Sequence, residues 1–341
     1  MPRGTMSWTI VWTAALTLPA LARAEPPLAS QYQPNLAMDS CEATSRAAGF
    51  LVASQVRAGG EESLGWSWVV GGNQVAPNLT GLISLSLLEA HQAAGNEPAL
   101  RAAWRYAEGR LAAEADLATP FKPDVELLAR LSQATGDPVY LAAARELWSR
   151  VVAVSPDGRA EVARIARARA GAPALVGFDV ALTLRAALAL GEQAYAQQLA
   201  EEVIRRSAEW YLPAKDPRFS LVSAAALVPA LERLDAARHA PVVARFRRDL
   251  LQAQQPSGAW LANETQPSAY AVMALGASPL ADEREAAQRG LLWLRTSMLQ
   301  AGSYAAFNDF MPEPFVGEVI SAVHAEALSA LAADCQRARG K

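Results

Sequence analysis

Four carboxylate residues in or beside the long connections between predicted helices could perform acid–base chemistry. They are Asp124, Asp179, Glu264 and Asp309. Hydrolysis of a glycosidic bond requires two carboxyl groups roughly 5–10 Å apart, one donating a proton and the other acting as base or nucleophile. A lyase acting on a uronate would instead need a base and a positive charge, which Lys122, Arg218 or a calcium ion could supply. The sequence leaves the choice between these reactions open.

Aromatic and polar residues of the same connections, together with one histidine of the last predicted helix, are candidates for ligand binding. They are Trp66, Trp68, Asn78, Trp260, Tyr304, Glu318 and His324. Taken singly, each is more typical of a cap, loop or core position. Only their convergence in one cavity would mark a ligand site.

The motifs of several common catalytic sites are missing. The sequence contains no HExxH, CxxC, GxSxG, P-loop or GxGxxG pattern. We therefore expect no Ser or Cys nucleophile, no zinc site and no cofactor, with calcium alone left open.

Composition argues against two classes of partner. The chain has 341 residues, of which 52% are hydrophobic and 19% charged, and its net charge is −3. It therefore lacks the basic surface that nucleic acid requires and the polybasic patch that binds an anionic membrane. The expected partner is an oligosaccharide or another small ligand, and a protein partner is left open.

Residues 1–24 are predicted to be a cleaved signal peptide. Arg3 precedes the apolar stretch WTIVWTAALTLPALA, and Ala22-Arg23-Ala24 fits a cleavage site. Residues 25–38 are expected to be an extended segment, and no later segment has about twenty uninterrupted apolar residues, as a membrane span needs. We therefore expect an exported protein, periplasmic or extracellular. In an oxidising compartment Cys41 and Cys335 are expected to form a disulfide, with two buried free thiols as the alternative.

These candidate residues must be positioned by helices, because apolar residues recur at i, i+3, i+4 and i+7 and no convincing alternating strand is present. Short turns that contain Gly alternate with long, irregular connections, which divides the chain into six helical hairpins. The first helices are predicted near residues 40–57, 97–115, 137–153, 192–212, 237–254 and 280–299. The second helices are predicted near 78–94, 123–135, 177–190, 218–234, 267–276 and 315–337.

The two sets of helices differ in polarity. The second helices are apolar on nearly all faces, which is typical of buried helices, whereas the first helices carry the charge. We therefore expect an inner ring of second helices and an outer ring of first helices, with an inserted helix in the irregular third repeat. The last helix is too apolar to cap an open solenoid. The sequence predicts one all-α domain, an (α/α)6 toroid over residues 39–338, with its cavity at the N-terminal ends of the inner helices.

A Gln…Gly-x-Trp motif follows the fifth outer helix. It reads Gln254…Gly258-Ala259-Trp260 and is followed by an inner helix that begins Gln266-Pro-Ser-Ala-Tyr270. Weaker copies are Gln55…Gly65-Trp66-Ser67-Trp68 and Gln300-Ala-Gly302-Ser-Tyr304. In these motifs the chain resembles the terpenoid cyclase/protein prenyltransferase toroid superfamily, which includes squalene-cyclase-type repeats and family 10 pectate lyases.

The resemblance implies a structural role for the motif, in which Trp packs over a helix end and Gln bonds backbone there. The alternative for Trp66 and Trp260 is stacking on a sugar or lipid. The chemistry of that superfamily does not follow, because the sequence has no D-x-D-D or D-D-x-x-D motif. We expect an exported toroid that acts on or binds a carbohydrate. The alternatives are a non-catalytic scaffold or binding module, and a binder of an apolar, isoprenoid-like ligand.

Overall fold

The structure, a computed structural model, describes residues 38–58, 63–112, 121–301, 304–307 and 318–340. Within these ranges consecutive helices pair into six hairpins, as predicted. The first helices of the pairs form the outer ring. They are α1 (Ser40–Ala53), α3 (Glu97–Ala112), α5 (Pro138–Val154), α8 (Gln193–Arg205), the second half of α10 (Pro217–Ala253) and α12 (Ala281–Ser297).

The second helices form a closed inner ring. They are α2 (Pro77–Ala94), α4 (Lys122–Thr135), α7 (Val176–Leu190), the first half of α10, α11 (Thr265–Gly276) and α13 (Ser321–Ala338). Each packs against the next, and α13 packs against α2. This closure confirms the predicted all-α toroid.

The short turns have the chemistry that the sequence indicates. Gly95 and Gly136 end inner helices with φ angles of 73° and 75°, a left-handed conformation that glycine adopts without strain. The next helices begin with side-chain caps, because Asn96 accepts a hydrogen bond from Ala99 N–H and Asp137 accepts one from Val139 N–H. Local sequence therefore fixes the tight end of these hairpins.

The junction between the fourth and fifth hairpins differs from the prediction. Instead of two helices separated by a turn, α10 continues through a kink at Asp235, whose φ of −165° and ψ of 95° are not helical. Its side chain accepts a hydrogen bond from Arg238 N–H, so Asp235 caps the outer half directly. The predicted inserted helix is present as α6 (Gly158–Ala168), and a short α9 (Ser207–Trp210) follows α8.

Two long connections each contain a short pair of strands, which the sequence analysis did not predict. Strand β1 (Val56–Ala58) pairs with β2 (Ser63–Gly65) between α1 and α2. Strand β3 (Met298–Ala301) pairs with β4 (Tyr304–Phe307) between α12 and α13. Segments of three or four residues are too short to display the alternating pattern by which strands are recognised.

A disulfide joins the two ends of the ring. The sulfur atoms of Cys41 on α1 and Cys335 on α13 are 2.01 Å apart. The predicted signal peptide and nearly all of the predicted extended segment lie outside the described residues. In the described part of the chain one stretch, Pro173–Leu190, is long and apolar enough to cross a membrane, but it comprises α7 of the inner ring and is 56% buried.

Candidate functional site

The N-terminal turns of the six inner helices, with the connections that lead into them, form one end of the toroid, which we call the mouth. Most of the predicted site residues lie here. The interior of the inner ring below the mouth is the lumen. The predicted residues are therefore divided between these two places and the packing between the rings.

Asp124 faces the outer ring rather than the lumen. Its carboxylate accepts hydrogen bonds from Tyr106 Oη at 2.9 Å and from Arg110 Nε at 2.9 Å, both donors being on α3. The residue is 1% exposed, and Gly81 of α2 packs directly against it. Asp124 thus ties α4 to α3 in a buried ion pair.

Asp179 is at the mouth, where it is held by an arginine. Arg169 Nε donates to one carboxylate oxygen at 2.6 Å and Nη2 donates to the other at 3.0 Å. Both side chains are one quarter exposed. This carboxylate is accessible, but it is fixed in a two-point ion pair.

Lys122 points towards the inserted helix α6. Its Nζ lies 3.3 Å from Glu161 Oε1. Burial lowers the pKa of Lys122, with Glu161 acting in the opposite direction. Burial works to raise the pKa of Glu161, but hydrogen bonds from Arg164 and the charge of Lys122 outweigh it and leave that pKa lowered. Lys122 therefore forms an ion pair with Glu161 of α6.

Glu264 and Arg218 form an ion pair at the mouth. Glu264 directly precedes α11, and its Oε1 lies 2.6 Å from Arg218 Nη2 in the first turn of α10. Within the described ranges, Glu264 Oε2 is buried without a hydrogen-bond partner. Two sequence candidates thus come together in one ion pair.

The tryptophans of the motif are buried within the packing between the rings. Trp66 Nε1 donates to Leu51 O at 2.8 Å, and Trp260 Nε1 donates to Leu250 O at 2.7 Å. Both rings are fully buried. Each indole therefore binds a carbonyl near the end of an outer helix, which is the structural role that the resemblance implies.

Gln254 completes this arrangement at the fifth repeat. Its Nε2 donates to Gly258 O at 2.9 Å and to Ala286 O at 2.8 Å. Trp210 makes the same contact in another repeat, because its Nε1 donates to Val203 O at 2.9 Å. Sequence reasoning missed Trp210, because no Gly-x precedes it.

His324 is part of the seam between the last helix and the first. Its Nδ1 accepts a hydrogen bond from Phe307 N–H at 3.1 Å, and its Nε2 lies 2.9 Å from Ala47 O. Since a carbonyl can only accept, Nε2 carries the proton. Burial lowers the pKa of His324 to about 4, although the bond to Ala47 acts to raise it. The imidazole is neutral and structural.

The other predicted binding residues are scattered. Trp68 is half-buried against the core, Asn78 is exposed in the first turn of α2, and Glu318 is half-buried just before α13. Tyr304 is on β4. Asp309 lies outside the described residues.

Among the described residues, the structure brings six charged or phenolic side chains together in the lumen, and we call this set the lumen cluster. It consists of Glu89, Glu126, Arg130, Arg185, Tyr270 and Glu326. Arg185 Nη2 on α7 lies 3.8 Å from Glu89 Oε1 on α2. Helices α7 and α2 are separated in the ring by α4, so this contact crosses the interior.

Two arginines link the carboxylates at one side of the lumen cluster. Arg185 binds Glu126 at 2.9 and 3.0 Å, and Arg130 Nη1 lies 2.7 Å from Glu89 Oε1. Ser329 Oγ also donates to Glu89 at 2.6 Å. Burial works to raise the pKa of Glu89, but the charges of Arg130 and Arg185 outweigh it and leave that pKa lowered. Glu89 is therefore held in place as an ion.

At the other side, Glu326 accepts hydrogen bonds from two neutral groups of α11. Tyr270 Oη donates at 3.0 Å and Gln266 Nε2 donates at 2.9 Å. Burial and the charge of Glu326 raise the pKa of Tyr270 well above its usual value, so the phenol keeps its proton. Phe178 of α7 packs edge-on against Tyr270 at 5.6 Å, again across the interior.

Most of the lumen cluster was not identified from the sequence as candidate site residues. Glu89 is the one Asp, Glu, Lys or Arg residue of the apolar inner helix α2, where such a residue is unusual. This isolated charge is the feature of the sequence that could have indicated a polar cluster in the lumen. In the described part of the chain, no group of three or more His, Cys, Asp or Glu side chains is arranged to hold a metal ion.

Comparison with known proteins finds similarity in fold. No family model matches the chain, and no curated protein matches it. A GH76A α-1,6-mannanase from Salegentibacter sp. HEL1_6 superposes with a TM-score of 0.59 at 11% identity, covering 87% of this chain and 99% of that one. A polysaccharide lyase superposes with a TM-score of 0.56 at 13% identity, covering 89% and 98%.

A third solved structure gives the same result. An unsaturated glucuronyl hydrolase specific for heparin superposes with a TM-score of 0.56 at 10% identity, covering 89% of this chain and 97% of that one. At such identities the similarity shows the α/α toroid fold alone. The placement of this chain among terpenoid-cyclase-like toroids is therefore not shown.

Proposed function

We propose that this protein acts on or binds a carbohydrate in the lumen of the toroid. The observation that carries the proposal is the lumen cluster, in which charged and phenolic groups from five inner helices converge. Burying ions costs free energy that a purely structural ring could avoid by filling its interior with Leu and Val. Converging polar groups within an apolar cavity are typical of a ligand site.

The chemistry of the lumen cluster suits a sugar. Paired carboxylate and guanidinium groups offer acceptors and donors for vicinal hydroxyl groups. Glu126 faces two arginines, whereas Glu326 accepts hydrogen bonds from a phenol and an amide. A pair of carboxyl groups in different environments is what general acid–base cleavage of a glycosidic bond requires. We therefore assign Glu126 and Glu326 as the first pair to test.

The similar structures support the substrate class without supplying the residues. They include a mannanase, a polysaccharide lyase and a glucuronyl hydrolase. Variants of the mannanase with two consecutive Asp residues replaced are described as inactive. The present sequence contains no two consecutive Asp residues, so any cleavage here would use other carboxylates.

Non-catalytic carbohydrate binding is the second candidate. Three of the predicted catalytic residues, Asp124, Asp179 and Glu264, are each paired with an arginine. Such pairing suits fixed hydrogen-bond acceptors better than proton-transfer groups. The charges in the lumen argue against an isoprenoid-like ligand.

The proposal places the protein outside the cytoplasm. The predicted signal peptide leads to export, and a disulfide that joins the two ends of the ring suits an oxidising compartment. We assign no calcium ion to the site, and the experiment below tests the effect of calcium.

The test is a thermal-shift and turnover screen of the purified protein against neutral and uronate oligosaccharides, with and without calcium. A ligand at one hundred times its Kd should stabilise the fold by about 2.7 kcal/mol. Glu126→Gln and Glu326→Gln should weaken binding or abolish turnover. The control is Glu146→Gln, which removes an exposed carboxylate paired with Arg150 on outer helix α5.

Three outcomes are distinct. Turnover that either lumen variant abolishes supports an enzyme. Binding without turnover supports the second candidate. Neither binding nor turnover across the panel overturns the proposal and returns the protein to the scaffold interpretation, whose next test is a search for protein partners.

A further inference from the structure

We infer that Glu264 is a binding residue that selects an uncharged or amine-bearing sugar over a uronate at the mouth of the toroid. This inference rests on the proposed function and deepens it. It names the class of carbohydrate and assigns a subsite to a side chain outside the lumen cluster.

The inference begins with an unsatisfied oxygen atom. Glu264 is 7% exposed, and its Oε1 lies 2.6 Å from Arg218 Nη2. Its Oε2 is buried and has no hydrogen-bond partner among the residues that the structure describes. A buried carboxylate oxygen without a donor is costly, so such an atom calls for a water molecule or a ligand to supply the hydrogen bond.

The position of Glu264 makes a ligand the relevant donor. The residue is at the N-terminal end of α11, yet its side chain does not cap that helix. Two residues further on, Gln266 binds Glu326 of the lumen cluster at 2.9 Å. Glu264 is therefore at the mouth end of α11, the helix whose Gln266 and Tyr270 bind Glu326 of the lumen cluster.

The chain around Glu264 is held firmly. Trp260 O accepts from Glu264 N–H at 3.2 Å, and Glu264 O accepts from Ser268 Oγ at 2.6 Å. Arg218 fixes the carboxylate from the adjacent inner helix. A carboxylate with its backbone and one oxygen fixed presents the other oxygen in a defined place, as selective binding requires.

Charge decides the class of ligand. A carboxylate oxygen accepts hydrogen bonds from a hydroxyl or ammonium group and repels another carboxylate. Arg218 balances the charge of Glu264 at the mouth, whereas the lumen cluster below contains three carboxylates against two guanidinium groups. Glu264, Arg218 and the lumen cluster together therefore contain one more carboxylate than guanidinium groups. The mouth and lumen together therefore favour a neutral or amino sugar.

The experiment measures Kd for neutral hexose, glucosamine and uronate oligosaccharides of equal length by calorimetry on the full protein. In the wild type the neutral or amino ligand should bind at least about tenfold more tightly than the uronate. Glu264→Gln should raise the Kd of the neutral or amino ligand by about tenfold, because the variant loses the charged acceptor. The ratio between the Kd of the uronate and the Kd of that ligand should therefore fall.

The matched control is Glu232→Gln. Glu232 is another carboxylate of an inner-helix ion pair, since its Oε2 lies 2.9 Å from Arg247 Nη2 near the opposite end of the first half of α10. This variant should leave all three Kd values unchanged. Circular dichroism establishes that each variant is folded. If Glu264→Gln does not fold, the wild-type Kd values for the uronate and for the neutral and amino ligands decide the inference alone.

The outcomes separate the inference from the proposed function. A uronate that binds more tightly than the neutral and amino ligands overturns the inference and leaves the proposed function standing. Unchanged Kd values in folded Glu264→Gln also overturn it, because water alone then satisfies Oε2. If no oligosaccharide of any class binds, the proposed function itself fails.

Discussion

Arg185 and Glu126 form a two-point ion pair between adjacent inner helices. Arg185 Nε lies 2.9 Å from Glu126 Oε2, and Arg185 Nη2 lies 3.0 Å from Glu126 Oε1. The same guanidinium group approaches Glu89 across the lumen. One arginine therefore neutralises carboxylates from two other helices and sets the distance between them.

Removing this arginine should destabilise the fold strongly. Arg185→Met leaves Glu126 buried without its main counter-ion, and breaking a buried pair from one side costs about 3–5 kcal/mol. The double variant Arg185→Met/Glu126→Gln should lose less stability than the sum of the single variants, because no uncompensated charge is left. Urea unfolding of all three variants measures this coupling.

The control for this cycle is the exposed pair of Arg150 and Glu146 on α5. Its two side chains are 37% and 54% exposed. Arg150→Met should therefore cost less than about 1 kcal/mol. Equal costs for Arg185→Met and Arg150→Met would show that the lumen pair is screened by solvent and is not part of a buried network.

Much of the architecture was predictable from local sequence. Gly95 and Gly136 mark tight turns because each is a left-handed residue that ends an inner helix, α2 or α4. The apolar character of the last helix predicts ring closure. The kink at Asp235 was predicted as a turn, since a capping residue within a continuous helix has the same local sequence as one that begins a new helix.

The candidate site was much less predictable, because the charged residues of α4 fall on more than one face of the helix and do not indicate which face lines the lumen. Asp124 and Glu126 are two residues apart in the first turns of α4 and so project about 200° apart. Asp124 binds the outer helix α3, whereas Glu126 reaches the lumen. Asp124, which the sequence offered as a catalytic candidate, is thus the one of the two that packs away from the lumen.

The disulfide should be detectable by counting thiols. The sequence contains two cysteines, so the denatured protein should react with no equivalents of a thiol reagent before reduction and two afterwards. Intact mass should rise by about two daltons with reductant. Because the bridge spans 294 residues, the chain-entropy model gives it at most about 5–6 kcal/mol.

Cys41→Ser/Cys335→Ser should therefore unfold at lower urea concentration than the oxidised wild type and should match the reduced wild type. The comparison with reduced protein separates loss of the bridge from loss of packing at the two sites. Two free thiols in the native protein, with no change in mass on reduction, would mean that the ring is closed by packing alone.

The glycine of the Gly-x-Trp motif should be essential for stability. Gly258 has a φ of 93°, and a Cβ placed there would lie 2.5 Å from Arg289 O. Gly258→Ala combines a left-handed backbone with a clash against backbone, so we expect a loss of about 2 kcal/mol or more in urea unfolding.

Gly71→Ala isolates the backbone part of this cost. Gly71 has a φ of 90°, but nothing lies within 4 Å of the position that a Cβ would occupy there. Gly71→Ala should therefore lower the free energy of unfolding by about 1 kcal/mol, as expected for a left-handed residue with free space. Equal losses at the two positions would mean that α12 moves to accommodate the extra methyl group.

Acid should weaken the seam at His324. In the unfolded chain a histidine binds a proton below about pH 6.5, whereas burial lowers the pKa of His324 in the fold to about 4. Between these values the unfolded state binds more protons, so stability falls as pH decreases from about 6.5 to 4. The slope from this group approaches 1.4 kcal/mol per pH unit.

Urea unfolding at several pH values between 4.5 and 7 measures this slope. His324→Gln should be less stable at pH 7, because it disturbs the bonds to Phe307 and Ala47, but its stability should depend less on pH. The variant His239→Gln measures the slope contributed by a second histidine whose pKa burial lowers.

The carboxyl groups of Glu89 and Glu161, whose pKa values are lowered, lose their contribution to the free energy of unfolding only at more acidic pH. An unchanged slope in His324→Gln would mean that the seam opens to water before the imidazole binds its proton.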